Sequence, residues 1–111
     1  MKLHQKKCRP CEGFEKPFDP GEIQKFLSQI KNWELIENKK IKKDFKFKDF
    51  KEVMVFVNKV ADLAESEQHH PNIYIFYNHV KIELSTHSIG GLSENDFIMA
   101  AKIDRLQNNE I

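Results

Sequence analysis

Between Asp49 and Pro71 the apolar residues recur every three or four positions, at Phe50, Val53, Met54, Val57, Val60, Ala61 and Ala64. That period predicts a single amphipathic helix of about four turns, the longest element in the sequence. Asp49 is a good N-cap for it, and Glu52 is its capping-box partner. Pro71 sets the far limit, because the residue before a proline is pushed out of the helical region. The apolar stripe needs a sheet to pack on. Val55, Phe56 and Leu63 widen the apolar surface beyond one core face, which predicts a second buried side, against another subunit.

Strand-like runs lie on both sides of this helix. Trp33 to Ile36 and Ile41 to Phe47 are joined by the polar turn Glu37-Asn38-Lys39-Lys40, with Phe45 and Phe47 in phase. Ile73 to Tyr77 and Val80 to Thr86 form a second pair, with Asn78-His79 read as a two-residue turn. Val80, Ile82 and Leu84 face one way and Lys81, Glu83 and Ser85 the other, so one sheet face is buried and the other is polar. Strict alternation puts His87 on the polar side.

Two further helices complete the pattern. Asp19-Pro20-Gly21-Glu22 supplies an N-cap, a proline at the first helical position and a capping box, followed by Ile23, Phe26, Leu27 and Ile30 at helical spacing. After Gly90-Gly91, Ser93 caps a last helix with Asp96 at its third position, and Leu92 and Phe97 flank the box as a staple. The order α-β-β-α-β-β-α predicts an α+β fold, a four-stranded antiparallel sheet with helices packed on one face. Residues 19–111 form one domain behind a polar N-terminal extension, residues 1–18.

Several classes of function are disfavoured. A net charge of +1 gives no global field for nucleic acid or a membrane surface. No apolar run is long enough to span a bilayer, and the basic N-terminus lacks the apolar segment of a secretory signal, so a cytoplasmic location is expected. Seven lysines between Lys39 and Lys51 face only Asp44 and Asp49, but their alternation with phenylalanine reads as a strand with one solvated face. No nucleic-acid reading motif accompanies them, so direct nucleic-acid binding is not expected. The only cysteines, Cys8 and Cys11, form a single C-x-x-C. A structural zinc site needs four ligands and this tail adds only His4, while a redox pair should follow a strand and open a helix. Incidental thiols in a partly ordered tail are the simpler expectation.

Histidine chemistry carries more. His69-His70-Pro71 sits at the exit of the long helix, and His87 follows the last strand. Imidazoles give and take protons near neutral pH. Expelling hydroxide from carbon needs an acid at the departing oxygen and a base at the atom that supplies the electrons, each worth about 10²–10⁴-fold. His69 and His70, as sequence neighbours at a chain exit, point in different directions and should not share one role. The pair lacks the i, i+4 spacing of zinc-binding histidines on one helix face, so no metal is expected. Surface histidines around a helix end, with Asp96 only a cap, is the competing explanation from spacing alone.

Taken together, Phe47-Lys48-Asp49-Phe50, Glu65, His69-His70-Pro71, Tyr77-Asn78, Leu84-Ser85-Thr86-His87 and Gly91-Leu92-Ser93-Glu94-x-Asp96 resemble the pterin-4a-carbinolamine dehydratase family. The family is also known as the dimerisation cofactor of a homeodomain transcription factor. The resemblance runs from about Ile23 to Ile103. It implies a hydro-lyase of tetrahydropterin recycling that converts 4a-hydroxytetrahydropterin to quinonoid dihydropterin and water, with neither metal nor organic cofactor. It puts catalysis on His69, His70 and His87, with His69 and His87 as the acid–base residues and His70 positioning or sharing the proton traffic. Substrate binding falls on His69, His70, Pro71, His87 and Asp96, the last also orienting a histidine. Gln68 and Ser88-Ile89-Gly90 depart from the pattern without touching these positions. The resemblance further implies a homotetramer joined through the long helix, a dimer of dimers. Members also act as non-enzymatic binding or assembly factors on the same scaffold, which is the alternative function.

Overall fold

The long helix, α2 (Phe50–Glu67), lies across one face of a four-stranded sheet in the computed structural model, which describes residues 1–10 and 15–108. Around it are α1 (Pro20–Leu27), β1 (Glu34–Ile36), β2 (Lys40–Lys46), β3 (Asn72–Ile75), β4 (His79–Leu84) and α3 (Glu94–Asn108). Every strand pairing is antiparallel, and the spatial order is β1-β2-β4-β3. This is the α+β arrangement that the sequence predicts.

The N-caps form as their sequences dictate. The Asp19 carboxylate accepts from Glu22 N at 2.8 Å while Glu22 accepts from Asp19 N at 3.0 Å, a reciprocal box. Asp49 accepts from Glu52 N at 2.9 Å, but the Glu52 side chain reaches Lys48 N, one residue further out. Helix α2 ends at Gln68, whose positive φ of 54° makes it a left-handed cap. The helix therefore stops before Pro71 is reached.

Ile41, Phe45, Val80, Ile82 and Leu84 point from the sheet into the core, where they meet Val53, Val60, Phe97, Met99 and Ile103. Each of these large side chains contributes roughly 1.5–3 kcal/mol by leaving water. The opposite sheet face carries Lys42, Asp44, Lys81, Glu83 and Tyr74, with the Lys81 ammonium 4.5 Å from the Tyr74 ring. Helices cover one face only.

Three local expectations are corrected. Phe56 belongs to the core, 3% exposed, with its ring 4.9 Å from Phe45 and 5.1 Å from Phe47, whereas Phe50 is 48% exposed and Ala61 lies on the surface. The broad apolar band admits more than one rotation, and the large Phe56 ring decides it. The β3–β4 turn centres on Tyr77-Asn78 rather than Asn78-His79: Ile75 pairs with Val80, and Phe76 N bonds His79 O at 2.9 Å. A shift of the pairing by two residues keeps every side chain on its face, so alternation cannot distinguish the two turns. Lys43 lies on the covered face, not the solvated one. Its ammonium meets Asp104 at 2.8 Å, above the Phe45 ring.

The segment before α1 is anchored over its described part. Leu3 is buried, Lys102 donates to His4 O at 3.0 Å, and Lys6 pairs with Glu94 at 2.6 Å. Cys8 N donates to Glu67 at 2.8 Å. Burial, reinforced by the Glu67 carboxylate, pushes the Cys8 thiol up to about 12, so it is not a reactive thiolate. Cys11, the other half of the C-x-x-C, lies outside the described residues.

Candidate active site

The left-handed turn at Gln68 swings the chain out of α2 and separates the two histidines. His69 N still bonds Ala64 O at 3.3 Å, and its ring turns inward so that Nε2 meets Asp96 Oδ1 at 2.7 Å. His70 turns outward, where Nε2 meets Glu65 at 2.7 Å. The His69 side chain is 11% exposed and that of His70 56%, so the pair is divided between an interior and a surface role.

Asp96 is fully buried, and three donors surround its carboxylate. His69 binds Oδ1; the Thr86 hydroxyl at 2.7 Å and Ser93 N at 3.0 Å bind Oδ2. Since Thr86 gives its only hydroxyl proton to Asp96, the Ser93 hydroxyl, 2.8 Å away, donates to Thr86. A carboxylate ringed by donors is an acceptor on every side, so His69 carries its hydrogen on Nε2 and Nδ1 is left as the ring's basic nitrogen. Asp96 is thus both the capping-box acid of α3 and the group that fixes the His69 ring. Buried polar groups with all partners present hold one geometry.

His87 enters from the other side of the cleft. The phase Val80-Ile82-Leu84 continues to buried Thr86, and His87 opens a 3-10 turn, His87–Ile89, closed by Gly90 N on His87 O at 3.1 Å. Gly90 has φ 70° and is a left-handed cap, while a Cβ on Gly91 would stand 2.7 Å from Pro17. Both glycines are needed to bring the chain back for Thr86 N to bond Gly91 O at 2.8 Å. His69, His70, Thr86 and His87 line one cleft of about 280 Å³, together with Arg9, Ser85 and Asn95. That is slightly below the roughly 300–1,000 Å³ usual for small-molecule sites, room for a compact bicycle with one face open. Grooves of about 450 and 570 Å³ lie elsewhere, but neither holds the histidine pair or Asp96. Chemistry rather than volume selects the histidine cleft.

Pro71 and Asp96, both assigned to substrate binding by resemblance, do not line this cleft: Pro71 is half-buried at the entrance to β3, and Asp96 is fully buried. Thr86, Arg9 and Asn95 were given no role from the sequence. Thr86 had a signal, since a hydroxyl in the buried phase of a strand needs a partner. Arg9 and Asn95, 86 residues apart, had none. Among the described residues no group of three His, Cys, Asp or Glu side chains is arranged to hold a metal ion.

Comparison with known proteins fits this geometry. The model of the family described as Pterin 4 alpha carbinolamine dehydratase matches residues 16–106. The chain belongs to that family. Similar proteins, named by assignment as pterin-4-alpha-carbinolamine dehydratases, come from Rickettsia bellii, 49% identical over 96% of this chain and 95% of that protein, and from Nitrosospira multiformis, 48% identical over 94% and 91%. Among solved structures, one described as a transcriptional coactivator/pterin dehydratase from Brucella melitensis superposes with a TM-score of 0.78 at 33% identity, covering 82% of this chain and 98% of that one. A pterin dehydratase-like protein described as a RuBisCO assembly factor of the alpha-carboxysome gives 0.59 at 26% identity, over 68% and 88%. Dehydratase action on a pterin is the family's activity. Among the described residues no helix is long and apolar enough to cross a membrane.

Proposed function

We propose that the chain dehydrates 4a-hydroxytetrahydropterin to quinonoid dihydropterin and water, in tetrahydropterin recycling, by histidine acid–base catalysis. The observation that carries this reading is the buried His69–Asp96 pair in the wall of a cleft that also holds His87. His69, basic at Nδ1, takes the proton from N5. The N5 electron pair closes a double bond to C4a, the C4a–oxygen bond breaks, and His87 protonates the departing oxygen so that it leaves as water. Asp96 stabilises the imidazolium that forms on His69, as a buried carboxylate does for a catalytic histidine elsewhere. His87 is exposed and regains its proton from solvent. His70, held by Glu65 at the rim, positions the substrate. No step requires a metal or organic cofactor.

The likeness to a RuBisCO assembly factor supports a second reading, a binding or assembly protein on the same scaffold. Such a role has no chemical need for a buried histidine–carboxylate pair beside a third histidine. Replacement of the acid and the base separates the two readings. His69→Ala and His87→Ala should each lower turnover at least about tenfold, with circular dichroism unchanged. Turnover equal to that of the unmutated protein in both variants contradicts the catalytic assignment.

A further inference from the structure

Arg9 and Pro10, ahead of α1, are built into the cleft. Asn95, 8% exposed, grips the backbone of Arg9 twice: Arg9 N donates to Asn95 Oδ1 at 2.9 Å, and Asn95 Nδ2 donates to Arg9 O at 2.6 Å. Cys8 N on Glu67, Lys6 on Glu94 and buried Leu3 hold the preceding residues. Asn95 adjoins Asp96, so one turn of α3 fixes both the His69 ring and the Arg9 backbone. The Arg9 side chain is exposed and lines the same cleft as His69, His70 and His87.

Two features define what such a cation can recognise. Among the described residues that line the cleft there is no carboxylate; they are an arginine, a proline, histidines, hydroxyls and amides. Asp96 and Glu65 are each engaged by a histidine, and Glu94, which borders a smaller adjoining groove with Arg9, is paired with Lys6. The cleft therefore presents donors and positive charge, which suits an acceptor-rich or anionic ligand. The reaction geometry then says where the anion lies. N5 and C4a must face the histidines, and C6 is bonded to N5, so the substituent on C6 leaves the ring next to the reacting edge, within the cleft that Arg9 lines.

We propose that Arg9 is the specificity residue of this site and selects pterins whose C6 substituent carries an anionic group, a phosphate or a carboxylate. This rests on the pterin reading of the cleft. Arginine presents a planar fork that matches both anions, and its backbone is already fixed, so little ordering is left to binding. A neutral hydroxylated substituent gains far less from it.

Fluorescence titration of the full chain with two pterins tests the idea without turnover: 6-carboxypterin, which is anionic, and 6-hydroxymethylpterin, which is neutral. The unmutated protein should prefer the carboxylate about tenfold or more. Arg9→Ala should abolish that preference while leaving affinity for the neutral pterin within about twofold, and Arg9→Lys should keep part of it. Among the described residues the hydrogen bonds that hold Arg9 are to its backbone, so the variants retain the fold. Equal affinities in the unmutated protein, or a preference that survives Arg9→Ala, overturns the inference alone. Failure to bind either pterin removes the pterin reading as well.

Discussion

Asp96→Asn is the most informative single substitution, because it changes one atom at the centre of the site. The Asp96 carboxylate accepts from His69 Nε2, the Thr86 hydroxyl and Ser93 N. An amide offers one oxygen and one NH2. Ser93 N–H cannot rotate away, so the amide oxygen must take the Oδ2 position and its NH2 must face His69. Nε2 then has to accept, and the ring proton moves to Nδ1, the nitrogen that serves as base. Turnover should fall about 10²–10⁴-fold, the scale of losing a general base or its correct tautomer. The fold survives, because each buried group can still find a partner. A single mismatched donor would cost about 1–3 kcal/mol, and each kcal/mol lowers Tm by about 4–8 °C in a domain of this size. Stopped-flow kinetics measures the turnover and the ring 15N shifts report the tautomer. Turnover within twofold of the unmutated protein, with His69 still protonated on Nε2, would mean that Asp96 does not set the tautomer on which catalysis depends.

The assembly is proposed to be a homotetramer, and Val55, 52% exposed on the outer side of α2, is where charge should break it. Val55→Glu should yield smaller species in sedimentation with the fold intact, whereas Phe56→Ala should cost about 3–5 kcal/mol of stability by emptying the core; an unmutated chain that sediments as a monomer at micromolar concentration ends the proposal. Dialysis against a chelator should leave dehydratase activity unchanged, and a loss restored by zinc would reverse the metal-free mechanism. Glu67 carries a pH dependence. Burial alone would raise its carboxyl, but the Cys8 N–H bond and the Lys102 and Lys7 ammoniums outweigh this and hold it below the ordinary value. A lowered carboxyl stabilises the anchored segment above its unfolded pKa, and that contribution is lost as pH falls through the lowered value. Protection of Cys8 N against hydrogen exchange, measured relative to the intrinsic rate at each pH, should therefore persist at pH 6 and fall below the usual carboxylate range, and Glu67→Gln should remove the transition.

The sequence patterns that survived folding are those with one physical solution. The capping box at Asp19, the N-cap at Asp49, the alternation in β4 and the switch from period 3.6 to period 2 each specify an element by themselves. What stayed hidden involved a choice among near-equal options. The α2 band was wide enough to rotate, and only contact with Phe45 and Phe47 brought Phe56 inward. The β3–β4 register could slip by two without exposing a core residue. In the site, the histidines and Asp96 could be named from their chemistry, but their connection could not. His69 meets Asp96 across 27 residues, and Asn95 meets Arg9 across 86. Such contacts depend on the docking of whole elements, and no local spacing records them.

The most direct measurement generates 4a-hydroxytetrahydropterin in a stopped-flow mixer and follows its loss with and without this protein. Spontaneous dehydration supplies the baseline. Catalytic amounts of the protein should accelerate the loss, with quinonoid dihydropterin appearing at the same rate. A rate indistinguishable from the baseline, from a folded chain that binds a pterin, would contradict the dehydratase reading and leave a binding or assembly role.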